Sequence, residues 1–291
     1  MSHGVMTQQS YGKSRVRITK LTRTKERHFV KQLTVHTELE GDFEASYSHG
    51  DNTKVIATDT QKNIIYALGS DHPIHDIETF AIFVANRFLQ QYDQVTAVNL
   101  TIEQDLWDRV AGPKGGPHPT AFANRGDEKR VCFVRAVRDK PVHLEGGIRG
   151  LSVFRSANSQ WAKFAADEFR TLPDVLDRIF ATVVEARWTV SVNASDFDAV
   201  YERARGALIN VFANHVSLGV QATQYAICDQ ILKVCPEIAE VRLALPNKHH
   251  IPFDLKPLGG RANTNTIFVP QDEPHGLIKM TMTRKSRESK L

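Results

Sequence analysis

The stretch Leu245-Pro246-Asn247-Lys248-His249-His250 gathers an amide, an ammonium and two imidazoles in consecutive positions. Val241, Leu243 and Leu245 alternate with Arg242 and Ala244, so a half-buried strand leads into it. Pro246 withdraws a backbone donor, which predicts a loosened ladder where the polar groups arrive. Polar groups at the end of a buried strand are well placed to bind a ligand, although a solvated loop with adjacent histidines has the same spacing. A second cluster, Asp71-His72-Pro73-Ile74-His75-Asp76, holds metal-ligating residue types. Asp76, however, precedes Ile77, Phe80, Ala81, Val84 and Phe88 at helical spacing, which predicts a helix N-cap. No further His or Cys stands at a zinc-like spacing, so no metal site is assigned. Thr58 and Asp59 precede Ile64, Ile65 and Leu68, and either can cap the helix that these residues predict. The same helix start would offer backbone N–H groups to an anionic ring.

The elements that must hold these groups follow from alternation and helical spacing. Arg15–Leu21 and Phe29–Leu39 predict a hairpin, followed by the helical region and by strands through Val98–Ile102 and Val131–Val137. Between the last two lies a Gly/Pro-rich loop, Gly112–Pro119, whose Pro117-His118-Pro119 reads as a rigid turn. Asp139-Lys140-Pro141 is the expected boundary. The order then repeats, with strands near Val142–Ser156 and Val183–Val192 and helices at Phe197–Phe212 and Gly219–Val234. The strand into Asn247 and another over Thr266–Val269 complete it. The expected architecture is α+β: two tandem domains, residues 1–139 and 140–283, each an antiparallel four-stranded sheet backed by helices, with a tail over 284–291.

Composition narrows the function classes. At 291 residues, 41% hydrophobic and 24% charged, the chain is an ordinary globular sequence with a sizeable core. A net charge of +4, without basic clusters interleaved with aromatics, argues against a nucleic-acid partner. No stretch is long and apolar enough to span a membrane, and Ser2 to Ser10 lacks a signal peptide's apolar region. Three cysteines, Cys132, Cys228 and Cys235, form no disulfide framework and point to a reducing compartment. Ser289-Lys290-Leu291 reads as a peroxisomal address for an import receptor.

Several phrases together resemble the urate oxidases (uricases): Tyr11-Gly12-Lys13 opening the first strand, Ala57-Thr58-Asp59-Thr60 before Lys62-Asn63, Val220-Gln221-Ala222-Thr223, and Leu245-Pro246-Asn247-Lys248-His249. Asn158-Ser159-Gln160-Trp161 and Asp177-Arg178 also fit, and the resemblance runs from Tyr11 to Leu291. It implies tandem tunnelling-fold (T-fold) domains, associating as a homotetramer into barrels around a tunnel, with active sites at subunit interfaces. The implied reaction is oxidation of urate by O2 and water to 5-hydroxyisourate and hydrogen peroxide.

By the same resemblance, Arg178 and Gln221 clamp the purine, Trp161 stacks on it, and Val220 adds a backbone contact. Thr58 and Asp59 meet the purine from a neighbouring subunit, Asn247 holds the O2 or water site, and Ile278 walls the pocket. Lys13, Thr58 and His249 would form a proton relay, for which a desolvated lysine and a hydroxyl are suitable groups. The chemistry of the others also suits their implied work: an aromatic face for a planar ring, and a guanidinium fork for a conjugated anion. Taken without the resemblance, Trp161 reads as core, Arg178 as part of a surface ion pair, and Lys13 and Gln221 as ordinary polar positions.

No GxGxxG motif or haem attachment is visible, and the resemblance implies a cofactor-independent oxidase with deprotonated urate as the electron donor. Trp161 departs from the family's usual Phe, and Ala162-Lys163, Ala165-Ala166 and Leu172-Pro173 around it depart from the family's usual run. Those departures sustain an alternative, a non-catalytic purine-binding paralogue of the same fold. A pterin-acting T-fold enzyme would need a histidine-rich zinc site that the sequence does not display.

Overall fold

The computed structural model describes residues 3–113 and 115–285. It divides into two units, Met1–Gly147 with Thr189–Asp198, and Ile148–Trp188 with Ala199–Leu291. The boundary therefore falls past the expected Asp139–Pro141 turn, and a short later segment joins the first unit. Ser289-Lys290-Leu291 lies outside the described residues. Among those residues no helix is long and apolar enough to cross a membrane.

In the first unit β1 (Tyr11–Arg23), β2 (His28–Gly41), β3 (Val95–Ala111) and β4 (Pro117–Val137) pair antiparallel in chain order. Helices α1 (Glu44–His49), α2 (Thr58–Asp71) and α3 (Ile77–Gln91) lie between β2 and β3 in the chain. Alternation decides which strand face is covered: Leu33, Val35 and Leu39, with Val98, Leu100 and Ile102, are fully shielded. Alpha-helical spacing does the same for Ile77, Phe80, Ala81, Val84 and Phe88 of α3. Asp76 caps that helix, its carboxylate accepting the Thr79 N–H at 2.6 Å. Asp76 is thus committed to the helix, and the His72 ring packs edge-on against Phe83. Among the described residues no group of three metal-ligating side chains converges.

Two expectations are corrected here. Neither Thr58 nor Asp59 caps α2: Ala57 is its N-cap residue, without a side-chain bond, and Thr58 is the first helical residue. Asp59 instead binds the Lys62 ammonium and accepts from Asn63 Nδ2 at 3.0 Å. Pro117–Pro119 is the start of β4 rather than a turn, with Pro117 opposite Ala111.

The second unit contains β5 (His143–Arg155, begun in the first unit), β6 (Phe180–Val190), β7 (Ile238–Ala244) and β10 (Lys279–Thr283), in that order across the sheet. Its helices are α4 (Phe197–Asn214) and α5 (Val220–Val234). The last strand in the order is β10, so the expected Thr266–Val269 strand does not take that place. The chain there forms β9 (Phe268–Gly276), which among the described residues pairs only with β8 (Asn247–Pro252). Pro246 ends β7 as expected, but the polar run beyond it is a strand of its own. β8 opens against β6, with Asn247 opposite Thr182. All three cysteines are buried and unpaired.

Candidate active site

A cavity of about 330 Å3 opens in the second unit, and three pieces of chain wall it. The first is the irregular segment between β5 and β6, which supplies Trp161, Leu172, Pro173, Val175 and Arg178. Trp161 and Val175 exchange both backbone hydrogen bonds at 2.8 Å, closing the intervening residues into a loop. The Trp161 ring stacks on Phe164, with centroids 5.3 Å apart and planes 17° apart. It also lies against Gly219, where an added Cβ would stand 3.3 Å from two ring carbons. Glycine is therefore what lets the indole approach the helix start.

Arg178 is half-buried, and its backbone N–H is held by the Ser159 carbonyl at 2.8 Å. Its guanidinium carbon lies 5.9 Å from the Trp161 ring. Its Nε is fully shielded without a hydrogen-bond partner, and among the described residues no carboxylate pairs with the group. Burial alone pushes its pKa down.

The second wall is the start of α5. Gly219 supplies no side-chain cap, and the first intrahelical bond runs from Thr223 N–H to its carbonyl at 3.2 Å. The Val220 and Gln221 N–H groups therefore have no intrahelical acceptor, and both residues line the cavity. An uncapped helix N-terminus there favours an anion. A buried hydroxyl pair fixes the turn: Thr223 Oγ1 donates to Ser217 Oγ at 2.8 Å, and Ser217 Oγ donates to the Gly219 carbonyl at 3.0 Å.

The third wall comes from β8, the end of β9 and the start of β10: Asn247, His249, Gly276 and Ile278. Asn247 is buried and sits opposite Gly276, where an added Cβ would meet Ile278 Cδ1 at 3.3 Å. Burial lowers the His249 pKa first, and the positive charge of Arg178 and then His275 lowers it further. These effects favour the neutral imidazole over the charged one.

Lys13, Thr58 and Asp59 do not line this cavity; they cluster within the first unit. Tyr11 Oη accepts the Ile56 N–H at 2.8 Å, tying the start of β1 to the segment that enters α2. Thr37 Oγ1 accepts the Lys13 N–H at 3.3 Å and donates to Gln61 of α2 at 3.0 Å. The β1–β2 register shifts between Lys13 and Val16, where Arg15 takes a positive φ of 60°, a bulge that re-aims the strand at Lys13. The Asp59 carboxyl is held below the usual carboxylate range mainly by Lys62, with Lys13 contributing. Lys13, Thr58 and Asp59 thus lie in the first unit, whereas Trp161, Arg178, Val220, Gln221, Asn247 and His249 line the cavity of the second.

A profile of the uricase family matches residues 9–135 and 144–279. The uricase of Arthrobacter globiformis is 39% identical over 97% of this chain and 90% of its own length. That of Aspergillus flavus is 36% identical over 97% of each. The crystal structure of the Arthrobacter globiformis uricase superposes with a TM-score of 0.90, covering 98% of this chain and 96% of that one. The chain belongs to the uricase family.

Of the residues around the cavity, Trp161, Arg178, Val220, Gln221, Asn247, His249 and Ile278 are ones to which the resemblance gave a role. Leu172, Pro173, Val175 and Gly276 were not assigned a role from the sequence. Leu172-Pro173 was visible only as a departure from the family pattern, and Val175 and Gly276 carried no signal. What gives them a role is the fold of the 161–175 loop and the β8–β9 pairing.

Proposed function

We propose that this uricase-family chain oxidises urate with O2 and water to 5-hydroxyisourate and hydrogen peroxide, without a cofactor. The observation that carries the reading is Arg178, a half-buried guanidinium without a counterion, facing an apolar cavity beside an indole ring and an uncapped helix start. Such a site calls for a flat, conjugated anion of purine size, and urate at neutral pH is one. Arg178 binds one edge bidentately, Gln221 offers donor and acceptor to the other, and Trp161 stacks on the face. The Val220 N–H adds a contact at the helix start.

Asn247 holds O2 or water above the ring, and the neutral His249 accepts a proton from the relay. Lys13 and Thr58 supply the rest of that relay, and Asp59 stands beside them at the substrate. In this reading they reach the cavity from a second copy of the chain, so that a homotetramer carries complete sites at its interfaces. The deprotonated purine is itself the electron donor, so electrons pass from urate to O2 without a resident carrier. Peroxisomal import through Ser289-Lys290-Leu291 belongs to the same proposal, and a fluorescent fusion with and without the tripeptide tests it.

Activity is tested by the loss of urate's ultraviolet absorbance, together with oxygen uptake, on chelator-treated protein. The subunit arrangement is tested by co-expressing Lys13→Met with Arg178→Met. Each variant alone should be inactive, whereas mixed oligomers regain a fraction of activity because some sites draw both half-sites from unsubstituted positions. No regain would place all the groups of one site on one chain. Urate binding without oxygen consumption would make the chain the non-catalytic binder.

A further inference from the structure

We infer that Arg170, on the exposed loop beside the cavity, is a positioning residue that fixes the plane of the Trp161 ring through Phe164, and so determines how tightly a planar substrate is held. The inference rests on the urate reading above and adds to it a residue with no contact to the cavity.

The geometry is a chain of contacts. The Arg170 guanidinium carbon lies 4.0 Å from the Phe164 ring centroid, a close cation–π approach. The Phe164 ring in turn stacks on Trp161 at 5.3 Å. Arg170 also binds the loop's backbone at two points: Nη1 donates to the Phe164 carbonyl at 3.2 Å, and Nε donates to the Leu172 carbonyl at 3.1 Å. Its Nη2 donates to Asp174 Oδ1 at 2.6 Å. The other carboxylate oxygen of Asp174 accepts the Lys163 N–H at 3.2 Å. One guanidinium therefore holds the Phe164 ring, the Phe164 backbone, the Leu172 cavity wall and the residue beside Val175.

A planar five-donor fork is needed for this, and an ammonium cannot serve all four partners. The loop has few other restraints. Residues 165–169 are exposed, Lys163 turns with a positive φ of 59°, and no helix or regular strand runs between Trp161 and Val175. Indole is larger than the phenyl ring usual in the family. Away from Gly219, Phe164 is its stacking partner, and Phe164 is held by Arg170.

The test compares Arg170→Ala, Arg170→Lys and Phe164→Leu with the unsubstituted protein, for urate turnover and for the Trp161 near-ultraviolet circular dichroism. Subtracting the spectrum of the matching Trp161→Phe variant isolates that band from Trp107 and Trp188. Arg170→Ala should raise KM about tenfold with kcat nearly unchanged, since ground-state stacking is what it weakens, and the Trp161 band should lose at least half its intensity. Phe164→Leu should reproduce both effects, and Arg170→Lys should recover only a minor part.

An unchanged KM and band in Arg170→Ala would overturn the inference, as would a lost band with an unchanged KM. Should Arg170→Ala fail to fold, Arg170→Lys and Phe164→Leu decide by the same criteria. If the unsubstituted protein consumes no urate, the functional reading fails separately. The Trp161 band then decides whether Arg170 fixes the ring: its loss supports the inference, and its retention overturns it.

Discussion

Replacing Arg178 with methionine should make the ligand-free protein more stable while destroying its affinity for urate. A structural arginine would behave in the opposite way. In the ligand-free fold the Arg178 Nε is shielded and unpaired, and burial holds the group's pKa down, so the charged form is disfavoured there. An unsatisfied buried donor costs roughly 1–3 kcal/mol, of which half-burial of the whole side chain leaves the lower part. The guanidinium at 5.9 Å from Trp161 returns about 0.5–1 kcal/mol by cation–π attraction, and a methionine sulfur on the same ring replaces much of that. The balance favours methionine by roughly 1 kcal/mol in stability.

Binding moves the other way and by more. Two charge-assisted hydrogen bonds to an anion, at about 1.5–3 kcal/mol each, correspond to a fall of roughly 10^2–10^4 in kcat/KM. Thermal denaturation with and without urate under anaerobic conditions reads both quantities in one assay. The unsubstituted protein should gain stability with urate concentration as mass action requires, and Arg178→Met should start higher and gain nothing. A variant that is less stable, yet still stabilised by urate, would show that Arg178 serves the fold and that the anion sits elsewhere.

Other consequences follow from the same contacts. Since Arg178 helps to lower the His249 pKa, Arg178→Met should move it back toward its ordinary value of 6.5, as histidine NMR titration would show. Because that pKa is depressed in the folded state, neutral His249 costs no stability above pH 6.5. Stability is lost as pH falls through that value toward the folded one, and His249→Gln should flatten the stability curve over that window. Gly219→Ala places a Cβ 3.3 Å from the Trp161 ring, so the indole must shift; urate KM should rise several-fold, and an unchanged KM would mean that the ring moves freely. Thr182 carries a buried hydroxyl without a hydrogen-bond partner, and Thr182→Val should stabilise the protein by about 0.5–1.5 kcal/mol in urea denaturation, whereas a loss would reveal a hidden partner.

Local order was legible because it depends on neighbours in the chain. The alternation of β1 to β4, the stripe of α3 with its Asp76 cap, and the break at Pro246 are patterns of side chains and backbone donors a few residues apart. Val220, Gln221, Asn247 and His249 also stood out in the sequence, through resemblance, and the fold puts them on one cavity. Thr58 was misread because capping depends on dihedral angles that residue type only biases: Ala57 holds the cap position. The place of the last strand was misread because sheet order is decided by non-local pairing, which put Lys279–Thr283 beside β7 and sent Phe268–Gly276 to β8.

Arg178 marks the limit most sharply. Its identity was plain in the chain, but its lack of a counterion is a property of everything packed around it. The recruitment of Leu172, Pro173 and Gly276 to the cavity likewise depended on loops and strands closing across long sequence distances. Residue types and short spacings specify which chemistry is possible, whereas desolvation, and with it the ligand's charge, comes only from the folded surroundings.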